Sequence, residues 1–188
     1  MPEISLNILD VAQNSVKAGA KLTKLSCLID TKADTLTVII EDDGCGMTKE
    51  QVENVTDPFF TTRTTRNVGL GIPFLKLAAE QTGGSFSIES ATAREHPENH
   101  GTTTTALFNK NSIDFTPLGD VISTVTTLIM GSPGIDWRFT HTYGEKEVCI
   151  DTAEIRAVLG DGVPLDSYEV IEWIKSSLEE EYDSFYNN

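Results

Sequence analysis

Residues 35–51 read TLTVIIEDDGCGMTKEQ, and this stretch decides how the chain is organised. Thr35 to Glu41 is a β-branched and apolar run, the composition of a strand. It leads straight into Asp42-Asp43-Gly44-Cys45-Gly46-Met47, where two glycines permit positive φ or the close approach of another group to the backbone. Thr48 with Gln51 three residues later is a capping box, so a short helix is predicted from Lys49 to about Asn54. A carboxylate at a strand terminus thus stands beside a gap without side chains. It can accept a hydrogen bond from an exocyclic amine while a flat ring lies against the glycines. Taken alone, the same residues also describe an ordinary acidic turn between strand and helix.

Toward the amino terminus, Ile4, Ile8, Val11 and Ser15 recur at helical spacing with Leu9, Ala12 and Val16 adjacent, which predicts a helix over Ile4 to Ala18 ended by Gly19. A strand over Lys24 to Asp30 then pairs with the first through the polar turn Thr31 to Asp34. Asp10, Asn14 and Lys17 are spaced by four and three, so a carboxylate, an amide and an ammonium share one helical face. Such a face suits a metal-bound polyphosphate or, blandly, solvent.

Toward the carboxyl terminus, Thr56 to Val68 is rich in threonine, shows no period and reads as an exposed, mobile loop. Its Thr61, Thr62, Arg63 and Arg66 can close over phosphates while Phe59 and Phe60 anchor it. Asn67-Val68-Gly69-Leu70-Gly71-Ile72 opens a helix that runs from Gly71 to Gln81, with Pro73 in the first turn and Gly83-Gly84 past the end. Backbone N–H groups at such a start attract phosphate. It is neither the dinucleotide fingerprint nor a P-loop. Strands over Ser85 to Ser90 and Thr102 to Phe108 complete the pattern αββααββ.

Five segments in order, Asp10-xxx-Asn14-xx-Lys17, Asp42-x-Gly44-x-Gly46-Met47, Asp57-Pro58-Phe59-Phe60-Thr61-Thr62, Gly69-Leu70-Gly71 and Gly101-Thr102, resemble the ATP-binding domain of the GHKL superfamily. That group includes gyrase, the ninety-kilodalton heat-shock chaperones, histidine kinases and MutL. The resemblance covers roughly residues 4–108. It implies an α/β sandwich, a mixed sheet covered by helices, binding ATP with Mg²⁺. It further implies that Asn14 is the Mg²⁺ ligand, Lys17 a phosphate contact and Asp42 the acceptor of the adenine amine. Gly44, Gly46 and Met47 are then the adenine pocket wall, Thr61 to Arg66 the lid, and Gly69, Leu70 and Gly71 the phosphate-facing turn. Thr102 is expected on the sheet beneath the nucleotide.

Two departures bear on chemistry. Asp10 occupies the position of the usual water-activating glutamate and is one methylene shorter, which implies slow hydrolysis. Asn67 replaces the first glycine of the phosphate turn. The wording of the segments most resembles the histidine-kinase branch, yet 13 residues before Asn14 leave no room for a dimerising hairpin with its phosphorylatable histidine. The expectation is a kinase-type phosphotransfer or regulatory component in signal transduction, acting on a separate partner protein. The alternative is an ATP-gated interaction module, a slow ATPase switch without phosphotransfer.

After Asn109 the chain changes character, giving an expected division into an ATP-binding domain, 1–109, and a small α+β unit for partner docking, 110–188. The second part reads as a helix over Leu118 to Met130, the breaker Ser132-Pro133-Gly134, a hairpin of Asp136 to Tyr143 with Glu147 to Asp151, a short helix ending at Gly160, and an amphipathic helix from Asp166 to about Glu180, with a fraying end. The stripe Val170, Ile171, Ile174 and Leu178, with Trp173 close by, is expected to pack within the chain.

Composition excludes several classes of function. In 188 residues, 14 basic against 29 acidic side chains leave a net charge of −15, which repels nucleic acid and anionic lipid. The apolar runs Leu36 to Ile40 and Val121 to Met130 fall far short of the roughly 20 residues a spanning helix needs. The first residues, MPEISLNILD, show neither a basic n-region nor a continuous apolar h-region, so a secretory signal is not supported and a cytoplasmic protein is expected. Cys27, Cys45 and Cys149 read as three reduced thiols. His96 and His100 flank Pro97 in a polar stretch that reads as a solvated loop rather than a metal site.

Overall fold

The structure is a computed structural model and describes residues 3–57, 70–160 and 162–186. Six strands form one sheet: β1 (Leu22–Asp30), β2 (Thr35–Asp42), β3 (Ser85–Ala91), β4 (Gly101–Asn109), β5 (Asp136–Tyr143) and β6 (Lys146–Asp151). Their order is β3-β4-β2-β1-β5-β6; β1 and β5 run parallel and every other pair is antiparallel, so the sheet is mixed.

Register places the apolar side chains of neighbouring strands on one face. Leu25 pairs with Ile40 and Phe139, Val38 with Cys27 and Ala106, and Leu36 with Phe108, and all of these are buried. The other face is polar, as in the Lys24–Glu41 ion pair at 2.7 Å. The helices are α1 (Ile4–Lys17), α2 (Lys49–Val55), α3 (Gly71–Gln81), α4 (Val121–Gly131), α5 (Thr152–Leu159) and α6 (Tyr168–Tyr186). Ile4, Ile8, Val11 and Ala12 of α1, Leu75 of α3 and Val125 of α4 join the sheet in one core. Full burial of each large aliphatic side chain stabilises by about 1.5–3 kcal/mol.

The capping box of α2 forms as predicted: Thr48 Oγ1 accepts from Gln51 N and Gln51 Oε1 from Thr48 N. Two helix ends differ from expectation. Helix α4 starts at Val121 rather than Leu118, because the Asp120 carboxylate accepts from both Ser123 N (2.9 Å) and Ser123 Oγ (2.6 Å) and so caps it. Helix α6 runs past Glu180 to Tyr186, because Tyr182 and Phe185 extend the buried stripe of Val170, Ile174 and Leu178 and hold the last turns down. Residues 187 and 188, at the end expected to fray, lie outside the described residues, and Trp173 stands 57% exposed beside the stripe.

Strands β5 and β6 belong to the same sheet as β1–β4, and α4 and α6 to the same core. Asn109 therefore marks a change in sequence character and no break in the sheet. Among the described residues, no helix is long and apolar enough to cross a membrane.

Candidate functional site

Helix α1 lies over the end of β2, and this crossing builds the site. Ser15, a polar residue on the buried stripe of α1, is 1% exposed and donates from Oγ to Asp42 Oδ2 at 2.9 Å. Gly44 N donates to Asp42 Oδ1 at 2.9 Å. Burial pushes the Asp42 carboxyl above its ordinary range, and these two hydrogen bonds pull it partway back. A carboxylate has about four lone-pair positions, so Asp42 keeps capacity for a further donor.

The loop after Asp42 is held at nearly every residue. Asp43 Oδ1 accepts from Lys21 N and Leu22 N at 2.7 and 3.0 Å. Cys45 N donates to the Ala18 carbonyl at 2.9 Å, and Met47 N to Ser90 Oγ at 2.8 Å. His100 Nδ1 bonds the Gly44 carbonyl at 2.6 Å, which gives that loop histidine a structural task. Gly46 has φ of +68°, and any Cβ there would overlap the Ala91 carbonyl, so only glycine brings the loop down on the end of β3.

A cavity of about 260 Å³ opens where these elements meet, lined among others by Asn14, Lys17, Asp42, Gly46, Met47 and Thr102, with Ile40, Val55 and Ile72 as apolar walls. Thr102 is the register partner of Asp42 and exchanges a hydrogen bond with Ser90 Oγ at 2.8 Å. Asn14 Nδ2 is buried here with no hydrogen-bond partner among the described residues. A buried donor left unsatisfied costs about 1–3 kcal/mol, which water or a ligand group accepting from the amide would offset. A polar hollow of about 620 Å³ shares Ala18, Asp42 and Cys45 with this cavity and carries Gly44, Lys21 and His100.

The structure thus brings six of the predicted residues together around one cavity and sets Gly44 beside it. Asp10 does not line that cavity; it is exposed on α1. Gly71 is buried at the start of α3, where a Cβ would lie 2.6 Å from Asp10 Cβ, so the absent side chain lets α3 seat on α1. Leu70, its N-cap, is 43% exposed. Pro58, Phe59, Phe60, Thr61, Thr62, Arg63, Arg66, Asn67 and Gly69 lie outside the described residues. Sequence reasoning missed Ser15, Ser90 and His100 as supports. Ser15 carried a signal, a hydroxyl at a core position of an amphipathic helix; Ser90 and His100 carried none.

No cluster of three or more His, Cys, Asp or Glu able to hold a metal occurs among the described residues. A magnesium ion that kept most of its ligands as water and phosphate would need only one or two protein oxygens, and the Asn14 amide oxygen is one that the cavity lining offers. Cys27, Cys45 and Cys149 are free thiols, and burial pushes Cys27 up to about 12.

Residues 3–127 match the family described as histidine kinase-, DNA gyrase B-, and HSP90-like ATPase. A putative sensor histidine kinase NtrY-like of Rickettsia prowazekii (strain Madrid E) is 28% identical over 86 residues, 46% of this chain and 14% of that protein. The sensor histidine kinase CitA of Klebsiella pneumoniae is 27% identical over 85 residues, 45% of this chain and 16% of its own length. The chain therefore spans only a small part of these relatives. Among solved structures, the Aquifex aeolicus MutL ATPase domain complexed with ADP aligns with a TM-score of 0.52 at 12% identity, covering 85% of this chain and 68% of that one. The N-terminal domain of a DNA repair protein aligns with a TM-score of 0.59 at 13% identity, covering 86% of this chain and 58% of the other. At such identities these two likenesses show the fold.

Proposed function

Since the chain belongs to the histidine kinase-, DNA gyrase B- and HSP90-like ATPases, we propose that it binds Mg²⁺-ATP in the cavity between α1 and β2 and acts through it on a separate partner protein by kinase-type phosphotransfer. One observation carries the reading: Asn14 Nδ2, unpartnered among the described residues, and the half-buried Asp42 carboxylate line the same hollow. In this reading Asp42 accepts from the exocyclic amine of adenine, and Met47 and Ile72 flank the ring. Gly44 and Gly46 hold the loop clear of it, and Thr102 supports Asp42 from the neighbouring strand. The Asn14 amide oxygen is the protein ligand to Mg²⁺, which when bound neutralises phosphate charge, and Lys17 turns toward the same phosphates. Thr61, Thr62, Arg63 and Arg66 supply the lid, and Gly69 to Gly71 the phosphate-facing turn.

Asp10, the candidate water-activating acid, stands exposed beside Gly71 and outside the cavity lining.

Calorimetric titration tests the site. Asp42→Ala removes a charge-assisted hydrogen bond of about 1.5–3 kcal/mol, so Mg²⁺-ATP affinity should fall about tenfold to a hundredfold. Inosine triphosphate, which lacks the exocyclic amine, should bind the unchanged protein as weakly, and the variant should no longer distinguish the two nucleotides. Equal affinity of the unchanged protein for both would refute the adenine assignment. Label passing from γ-labelled ATP to a second protein would then separate transfer from simple gating.

A further inference from the structure

A second hollow, remote from the cavity between α1 and β2, lies where α5, β6 and α6 diverge. It measures about 730 Å³ and is floored by Ile150, Ile155 and Val170. Its walls are not enclosed: Val158 is 87% exposed, Trp173 57% and Val163 43%. A pocket for a small molecule buries most of its ligand and hence its own lining. This one is a trough with apolar side chains standing free in solvent, a pattern that marks interaction sites.

The charge around the trough is of one sign. Glu154, Glu169 and Glu181 border it and, among the described residues, no lysine or arginine lines it, while Asp151 is engaged by Arg138 at 2.6 Å. A second copy of a chain of net charge −15 would bring more acid against that rim. Addition of an extended strand is also disfavoured, because Glu181 Oε2 accepts from Cys149 N (3.4 Å) and so covers the middle of edge strand β6. Helix α5, eight residues long, gives the trough a run of about 12 Å, two turns of a helix laid along it.

We propose that this trough docks an amphipathic helix of another protein, with its apolar face on Ile155, Val158 and Trp173 and lysine or arginine flanks against Glu154, Glu169 and Glu181. The site is independent of the nucleotide reading and is tested without nucleotide. The probes are synthetic helices of about 16 residues, about 24 Å long, with leucine and phenylalanine on one face. One has lysine flanks, one glutamate flanks, and one is a scrambled sequence of the lysine form. Binding is read from the emission of Trp173, with Trp137, 1% exposed, as an unchanging background.

The lysine-flanked helix should give a saturable blue shift. The glutamate-flanked and scrambled helices should bind at least tenfold more weakly, as should the lysine form on Val158→Asp, a substitution at a site too exposed to threaten folding. Glu154→Lys with Glu169→Lys should invert the preference between lysine and glutamate flanks. No saturable shift, equal affinity for both flank types, or indifference to Val158→Asp would overturn the proposal. A dimer seen by sedimentation that dissociates on Val158→Asp would overturn it too, by assigning the trough to a second copy.

Discussion

His141 on β5 offers a perturbation whose size can be worked out in advance. The side chain is fully buried, with Nδ1 bonded to the Tyr182 hydroxyl at 2.7 Å, Nε2 without a partner among the described residues, and the Phe185 ring centroid 5.0 Å away. Burial lowers its pKa to about 4. In the unfolded chain histidine titrates near 6.5. As pH falls through about 6.5 the unfolded state takes up a proton that the folded state refuses, so stability is complete above that pH and is lost down to about 4, where the loss levels off. The gap of about 2.5 units corresponds to about 3 kcal/mol, most of it gone by pH about 4.5, against a typical total of roughly 5–15 kcal/mol. Urea melts at pH near 7.5 and near 4.5, on the unchanged protein and on His141→Phe, isolate the effect from the many carboxylates. The variant loses the Tyr182 bond at both pH values, but the acid-induced loss should shrink by about 2–3 kcal/mol. The same pH dependence in both proteins, or an imidazole resonance of His141 titrating near 6.5, would refute the reasoning.

Two further outcomes concern the nucleotide cavity. Asn14→Leu replaces an unsatisfied amide by an apolar group of similar size, so the nucleotide-free protein should melt no lower than the unchanged one, and up to about 1–3 kcal/mol higher in stability, while Mg²⁺-ATP affinity drops at least tenfold; a loss of stability with affinity intact contradicts the role given to Asn14. Cys45 is exposed and lines the cavity, Cys149 is exposed far from it, and Cys27 is buried. Mg²⁺-ATP should therefore slow iodoacetamide labelling of Cys45 alone in peptide mass analysis, with Cys27 unlabelled throughout; equal protection of Cys45 and Cys149 would place the nucleotide elsewhere.

Much of the architecture was legible locally. The capping box of Thr48 and Gln51, the proline and glycines bracketing α3, and the period of α1 are signals that act within a few residues, and the elements formed where they pointed. Asn14 and Asp42 were readable as chemistry because one shares a helix face with Asp10 and Lys17 and the other ends a strand just before two glycines. The start of α4 was misread by three residues because Leu118 extends the apolar run, whereas the Asp120 side chain satisfies the helix's first donors and sets its beginning. The length of α6 was underestimated because tyrosine and phenylalanine amid acidic residues bury only once β6 is beside them.

What the chain specified by itself were the elements, the family and the groups able to meet a nucleotide, since these depend on periodicity, capping and residue type. Which of those groups share a cavity was decided by tertiary structure alone. The register of β2 with β4 and the crossing of α1 put Ser15 and Thr102 beside Asp42, and seating α3 through Gly71 leaves Asp10 outside the lining. Likewise, only the parallel pairing of β5 with β1 carries the last third of the chain into the same sheet. Contacts between residues far apart in sequence follow from how faces pack, and no local signal encodes that.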